Sequence, residues 1–271
     1  MTSRHRHWRP QLTRSEFYRG WVFFALYILV FPRLMGALQR ARGEHWQLLP
    51  AEYGLIYYLL AVTLVVLVFW SFLYHGVHIL LDWLPENLFA FATGLAGAGV
   101  FHFLASRIPL PVEDPFYPLY AEQFAYFPGA TVLILVVLTP IVEEVLFRGL
   151  MFGSLRKYSR SLGYVVSILV YAFYAAQQYA FTPGNVDLRY LLLMVRYLPM
   201  AAALTWSYDN GGSVWTPIFL RMALNGFQLF AAVNGFVRGT MPHIQVLDSH
   251  VADLIAAGEV VERPASVVKE L

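Results

Sequence analysis

The chain contains no cysteine. Disulfides and thiolate metal sites are therefore excluded. Charge is scarce too: 13% of the 271 residues are charged, against 58% apolar. A soluble domain carries about a quarter charged residues. One globule cannot hide so much apolar surface, so lipid must solvate much of it, in keeping with a mean hydropathy of +0.54. The net charge of +2 is small. It comes mostly from arginines at the ends of apolar runs, a pattern of membrane orientation rather than of nucleic-acid binding. No short apolar run with a small-residue cleavage site follows the basic start of the chain, so no removable signal peptide is read. The first apolar segment is expected to stay as an anchor.

What the chain does have is a series of apolar runs. The length would hold one or two soluble domains, or six to eight spans at about 20 residues each. The expected fold is an all-α polytopic transmembrane bundle of about seven spans. Residues 1–19 form a basic segment with Arg4, Arg6, Arg9, Arg14 and Arg19. The transmembrane domain then occupies 20–240. Its spans are expected at 20–38 (interrupted by Pro32-Arg33), 53–74 with a possible extension to Leu81, 88–105, 128–151, 162–181, 190–206 and 214–237. Asp82 to Asn87 and Asp209 to Gly212 read as turns, and Ser106 to Phe127 as an acidic, proline-rich loop. Gly94, Gly97 and Gly99 would let helix backbones approach closely. Trp46, Trp83, Trp206 and Trp215 lie near span ends, as interfacial aromatics do.

Arginine placement puts the amino terminus and the basic loop Arg156-Lys157-Arg160 on the cytoplasmic side of an inner (plasma) membrane, and the acidic loop outside. Arg40 and Arg42 dissent. The same count leaves the carboxyl end outside.

The densest chemistry lies in Thr139-Pro140-Ile141-Val142-Glu143-Glu144-Val145-Leu146-Phe147-Arg148-Gly149. Ionisable groups next to lipid are costly, which makes them functional candidates. Glu144 and Arg148 are four apart and share a helical face, so they can pair. Glu143 points about 100° away. Apolar surroundings and a second carboxylate next door both disfavour charge on a carboxyl group, the setting of a general base that works near neutral pH. Buried ion pairs that serve packing alone are the competing reading. His75 and His78 share a face, and a metal there would need further ligands; more simply they meet water and headgroups, as His5 and His7 meet solvent. No cofactor or metal is expected.

The motif with Leu150, Leu155 and Arg156 resembles the first motif of the CAAX prenyl protease and bacteriocin-processing (ABI) family, all-helical intramembrane proteases of glutamate type. Gly211-Gly212-Ser213-Val214-Trp215, leading to Arg221 and Asn225, is similar to that family's third motif region. The resemblance covers about 128–230. It implies that Glu143 activates water, that Glu144 and Arg148 position it, and that Asn225 stabilises an oxyanion. Two departures matter. The family's second motif, Phe-x-x-x-His, is matched best by Phe173-x-x-x-Gln177, so glutamine replaces histidine; a register through Ser167 would put Ala175 there instead. In the third motif Arg221 replaces histidine. Glutamine can hold a water but take up no proton. Arg221 can stabilise an oxyanion or pair with Glu143. The expected partners are a membrane-associated peptide or protein substrate and the bilayer, with no nucleic acid. Three functions stand side by side: an intramembrane endopeptidase, a non-catalytic relative that binds membrane peptides or partners, and a small transporter.

From Met241 the chain turns polar. Residues 241–271 look like the first residues of MutL-type mismatch-repair proteins. The position of Glu270 belongs to that family's first ATPase motif, but the rest of an ATP site does not follow. The tail reads as a fusion or gene-boundary product attached to the membrane domain.

Overall fold

The computed structural model describes residues 11–31, 50–182 and 185–237. His5, His7, Arg4, Arg6, Arg9, Pro32-Arg33, Arg40, Arg42, Trp46 and the 241–271 tail lie outside the described residues.

The architecture is all-helical. Helix α1 runs over Arg14–Ala25 and continues as a π-helical stretch, Leu26–Val30. Then come α2 (Pro50–Val68), α3 (Trp70–Asp82), α4 (Leu84–Ser106) and α5 (Phe116–Tyr126). The long α6 spans Pro128–Arg156. It is followed by α7 (Arg160–Ala180), a 3-10 stretch at Leu188–Leu193 leading into α8 (Met194–Gly211), and α9 (Trp215–Val237). A two-residue antiparallel ladder, Phe181–Thr182 with Asn185–Val186, closes the turn after α7.

Among the described residues four helices are long and apolar enough to cross a membrane: Leu84–Ser106, Pro128–Arg156, Leu188–Gly211 and Trp215–Gly235. The pair Glu52–Val68 and Trp70–Asp82 would make a fifth, although it is bent by 83°. The expected count of about seven is not reached here. The first expected span runs into residues outside the description. The run 53–81 is two helices rather than one. Helix α7 carries serines, tyrosines and glutamines that dilute its apolar character. Outward-facing apolar side chains such as Leu88, Phe89, Val100 and Phe101 on α4 are mostly exposed, the inversion expected of a bundle whose solvent is lipid.

Helix α6 is the axis of the bundle. Some 67% of its most apolar window is buried, against 22% for α4. Two π-helical stretches, Leu133–Leu138 and Val145–Phe152, flank the segment that carries Glu143 and Glu144. Gly149 lets α3 approach, since a Cβ there would stand 2.7 Å from the Phe72 ring. On α4 only Gly94 serves close approach: a Cβ would stand 2.7 Å from Leu220, whereas Gly97 and Gly99 face open space. Gly212, with φ of 80°, takes the left-handed conformation that ends α8.

One further expectation is corrected. The acidic loop contains α5, started by Asp114, whose carboxylate accepts from the Phe116 N–H at 3.0 Å. Burial raises the Asp114 carboxyl above its usual range. The basic segment 1–19 is already helical from Arg14. Thr13 and Glu16 form a capping box there, with the Glu16 N–H donating to Thr13 Oγ1 at 3.2 Å and the Thr13 N–H to Glu16 Oε2 at 3.0 Å.

The same Glu16 explains the bend between α2 and α3. The first turn of α3 has N–H groups with no intrahelical acceptor. The Phe72 N–H in that turn donates to Glu16 Oε1 at 2.8 Å, and Glu16 is only 2% exposed. Its other oxygen accepts from the Thr13 hydroxyl at 2.8 Å. One carboxylate thus starts α1 and caps α3 from a distance. Glu16→Ala should cost about 2–3 kcal/mol, the scale of hydrogen bonds to a charged group, in reversible unfolding of the purified protein. Glu16→Gln should cost less. An unchanged midpoint for Glu16→Ala would mean that the bend does not depend on this carboxylate.

Candidate active site

Four charged side chains meet inside the bundle. Glu144 Oε1 accepts from both Arg148 Nη1 and Arg221 Nη1, each at 3.2 Å. Glu144 Oε2 lies 3.2 Å from Arg148 Nε, and Glu143 Oε2 lies 2.7 Å from Arg221 Nη2. These last two are ion-pair contacts without hydrogen-bond alignment. The result is a chain, Glu143–Arg221–Glu144–Arg148, with two charges of each sign. Glu144 and Arg148 are fully buried, while Glu143 and Arg221 keep 5% and 6% of their surface. The outer pair is therefore the end that can be reached. The four-residue spacing of Glu144 and Arg148 does produce the expected pair. Arg221, too costly to leave alone in a span, takes Glu143 as expected and Glu144 as well.

The surrounding helices complete the site. Arg148 Nη2 donates to the Ala201 carbonyl of α8 at 3.3 Å. The Tyr171 ring of α7 lies 4.4 Å from the Arg148 guanidinium carbon and 4.9 Å from that of Arg221. One aromatic ring thus serves both cations. Tyr120 of α5 lies near enough to feel both Glu143 and Arg221. Burial first and then the Glu143 carboxylate push its phenol up to about 12, while Arg221 opposes the shift. Tyr57 and Tyr58 of α2 also lie within electrostatic reach of Glu143. So do Tyr27 of α1 and Tyr174 of α7, whose hydroxyls are 3.1 Å apart. Phenols thus stand around the outer carboxylate.

Gln177 is half-buried, and no hydrogen bond or ion pair joins it to the carboxylates among the described residues. The helical register explains this. Tyr171 faces the charges, and Gln177, six residues on, points about 120° away from it. Tyr171 escaped the sequence reading, though a signal was there: Ser167, Tyr171 and Tyr174 repeat at helical spacing through an apolar span. His75 and His78 lie on the exposed face of α3, with the His78 ring edge-on to Tyr74 at 4.7 Å.

Asn225 lies one turn beyond Arg221 on α9 and does a different job from its neighbour. Its Nδ2 donates to the Leu135 carbonyl at 2.7 Å. That carbonyl has lost its helical partners. The Thr139 N–H goes to Ile134 in the π-helical stretch, and Pro140, next in line, has no N–H. Asn225 fills the gap that Pro140 leaves. The other residues of the expected third motif latch α9 in place. Ser213 Oγ donates to the Gly76 carbonyl at 2.8 Å and accepts from the Trp215 N–H at 3.2 Å. The Trp215 indole donates to the Leu73 carbonyl at 3.1 Å, so this tryptophan is tied to α3. Thr216 bonds Asn87 of α4.

The basic loop also has a partner that the sequence reading missed. Asp209, taken for a turn residue, accepts from Arg156 Nε at 2.7 Å, Arg160 Nε at 2.8 Å and the Tyr164 hydroxyl at 3.1 Å. It ties the ends of α6, α7 and α8 together.

Residues 126–227 match the family model described as type II CAAX prenyl endopeptidase Rce1-like, the family that the two motifs resemble. The curated relatives concern another stretch. The DNA mismatch repair protein MutL of Koribacter versatilis is 77% identical over 31 residues, 11% of this chain and 5% of that protein. MutL of Trichlorobacter lovleyi is 70% identical over 30 residues, again 11% and 5%. The chain therefore spans about 5% of the length of the curated relatives it matches. No solved structure matches.

The role of Asn225 is testable by itself. Asn225→Leu strands a buried carbonyl and should lower stability by about 1–3 kcal/mol. Asn225→Asp removes the donor too and should be at least as costly. Denaturant unfolding of purified variants measures both. Wild-type stability in Asn225→Leu would show that the Leu135 carbonyl finds another donor.

Proposed function

We propose that this protein is an intramembrane endopeptidase of the CAAX prenyl protease type, embedded in the plasma membrane with its amino terminus in the cytoplasm. The observation that carries this reading is the outer pair. Glu143 and Arg221 touch at 2.7 Å inside the segment that matches the family, and Arg221 Nε is a buried donor without a hydrogen-bond partner. A base and an unfilled oxyanion donor stand side by side. In the proposed reaction Glu143 takes a proton from water as its oxygen attacks the peptide carbonyl carbon. Arg221 turns from the carboxylate to the developing oxyanion. The proton then passes from Glu143 to the leaving amine nitrogen as the C–N bond breaks. Glu144 and Arg148 hold Arg221 in place. Asn225 donates to the Leu135 carbonyl, so its part is to keep the α6–α9 contact rather than to meet substrate. The substrate is a membrane-anchored peptide or protein.

A second reading rests on the same contact. If Arg221 stays on Glu143, the guanidinium favours the ionised carboxylate and weakens it as a base, and the bundle is a non-catalytic binder of membrane peptides. Cleavage of a panel of membrane-anchored peptides separates the two. The wild type should cleave, and Glu143→Gln should lose about 100- to 10,000-fold, the usual weight of a general base. Cleavage that survives Glu143→Gln would end the glutamate mechanism. A silent wild type with an intact fold would favour the binding role.

We propose further that residues 241–271 bear neither on this fold nor on this activity. Deleting them should leave the yield of folded membrane protein unchanged. A lower yield would make the tail part of the domain.

A further inference from the structure

A cleft of about 330 Å³ opens where the start of α1 meets the far end of α6. That volume suits a small ligand or the head of a larger one. None of Glu143, Glu144, Arg148 and Arg221 lines it, so it is separate from the charge network. Two cations do line it, Arg14 and Lys157. Among the described residues neither is in an ion pair. The Lys157 ammonium stands 5.2 Å from the Phe17 ring centre and 4.6 Å from that of Tyr158. The rings hold the charge in place without neutralising it.

Gln11 adds a third group to the cleft wall. Its Nε2 donates to the Gly212 carbonyl at 2.7 Å, which fixes the orientation of the amide. Its Oε1 is left buried without a hydrogen-bond partner. Such an acceptor calls for a donor. From the cleft onward the outer side of α1 presents apolar side chains in a row: Tyr18 is 69% exposed, Val22 62%, Leu26 37% and Leu29 54%. Steps of four, four and three residues keep them on one face.

We propose that the cleft binds the headgroup of an anionic phospholipid that carries hydroxyl groups. The phosphodiester lies between Arg14 and Lys157. A headgroup hydroxyl donates to Gln11 Oε1. The acyl chains follow Tyr18, Val22, Leu26 and Leu29. Two cations without an ion-pair partner among the described residues select an anion over a zwitterion, whose own cationic end they would repel. The buried acceptor selects a polyol headgroup over a bare phosphate monoester. The apolar row is what a lipid uses and a free phosphate does not. A lipid seated this way joins α1 to the end of α6.

The test uses the full chain purified in neutral detergent and titrated with phosphatidylglycerol, phosphatidylcholine, phosphatidic acid or inorganic phosphate. Native mass spectrometry counts bound lipid, and thermal unfolding is followed in parallel. Phosphatidylglycerol should bind at least about tenfold more tightly than phosphatidylcholine and raise the unfolding temperature, and inorganic phosphate should do neither. Arg14→Gln/Lys157→Gln should lose about 30-fold in phosphatidylglycerol affinity, the weight of two basic residues at an anionic lipid surface. Either single variant should lose about fivefold, so the proposal stays testable if the double variant does not fold. Gln11→Leu should narrow the preference for phosphatidylglycerol over phosphatidic acid. Arg107→Gln/Arg189→Gln, which removes two charges elsewhere, should keep wild-type affinity. Equal binding of phosphatidylglycerol and phosphatidylcholine would overturn the proposal. So would a preference that survives loss of both cations, an equal loss in the control variant, or a matching shift with inorganic phosphate alone.

Discussion

The constraint on which the rest of the structure depends is the burial of four charges in a lipid-solvated bundle. Removing an ion from water costs several kcal/mol even after relaxation, and only close, well-directed partners offset that cost. The chain meets the requirement with equal numbers of each sign. Glu144 sits at the centre, bonded to both Arg148 and Arg221, and Glu143 closes the outer end. That arrangement dictates which helices must touch. Helix α9 has to deliver Arg221 to α6. Helix α8 has to offer the Ala201 carbonyl to Arg148. Helix α7 has to place the Tyr171 ring against both guanidinium groups. The packing of the bundle follows from the demands of its charges.

A second requirement follows from the same solvent. In lipid no water repairs a broken helix, so each loose backbone group needs a partner from the protein. The Leu135 carbonyl, stranded ahead of Pro140, is met by Asn225. The Phe72 N–H at the start of α3 is met by Glu16. Inside α3 the carbonyls of Gly76 and Leu73 take additional donors from Ser213 and Trp215, which tie α9 to α3. Residues that resemble a catalytic motif in the linear chain thus also mend the places where helices bend or begin. The π-helical stretches around Glu143 and Glu144 belong to the same economy, since a widened turn re-aims side chains and frees backbone groups, a feature found often at functional sites.

Much of this was legible in the chain. The acidic pair and Arg148 stand out because charge is rare in apolar sequence, and the four-residue spacing foretells their contact. The Arg221–Glu143 pair follows from the cost of an unpartnered arginine. The helices that carry 88–105, 128–151, 190–206 and 214–237 are long apolar runs, and the folded chain keeps them. What stayed hidden depends on contacts distant in sequence. Nothing local marks the bend at Phe69, and the carboxylate that caps the helix after it, Glu16, lies more than fifty positions earlier. Gln177 matches the family spacing, but the register of α7 turns it aside and presents Tyr171. Tail residues 241–271 contrast with the membrane domain in composition, and only their likeness to MutL sets them in a family context.

The central claim is that the four buried charges act as one coupled unit. The most direct measurement is a double-mutant cycle on the outer pair, Glu143→Leu, Arg221→Met and both together, read by reversible denaturant unfolding of the purified protein. Each single variant should lose about 3–5 kcal/mol, because it leaves a buried charge unmatched. The double variant should lose clearly less than the sum, with a coupling of about 2 kcal/mol or more. Strictly additive losses, or single variants as stable as the wild type, would contradict the account.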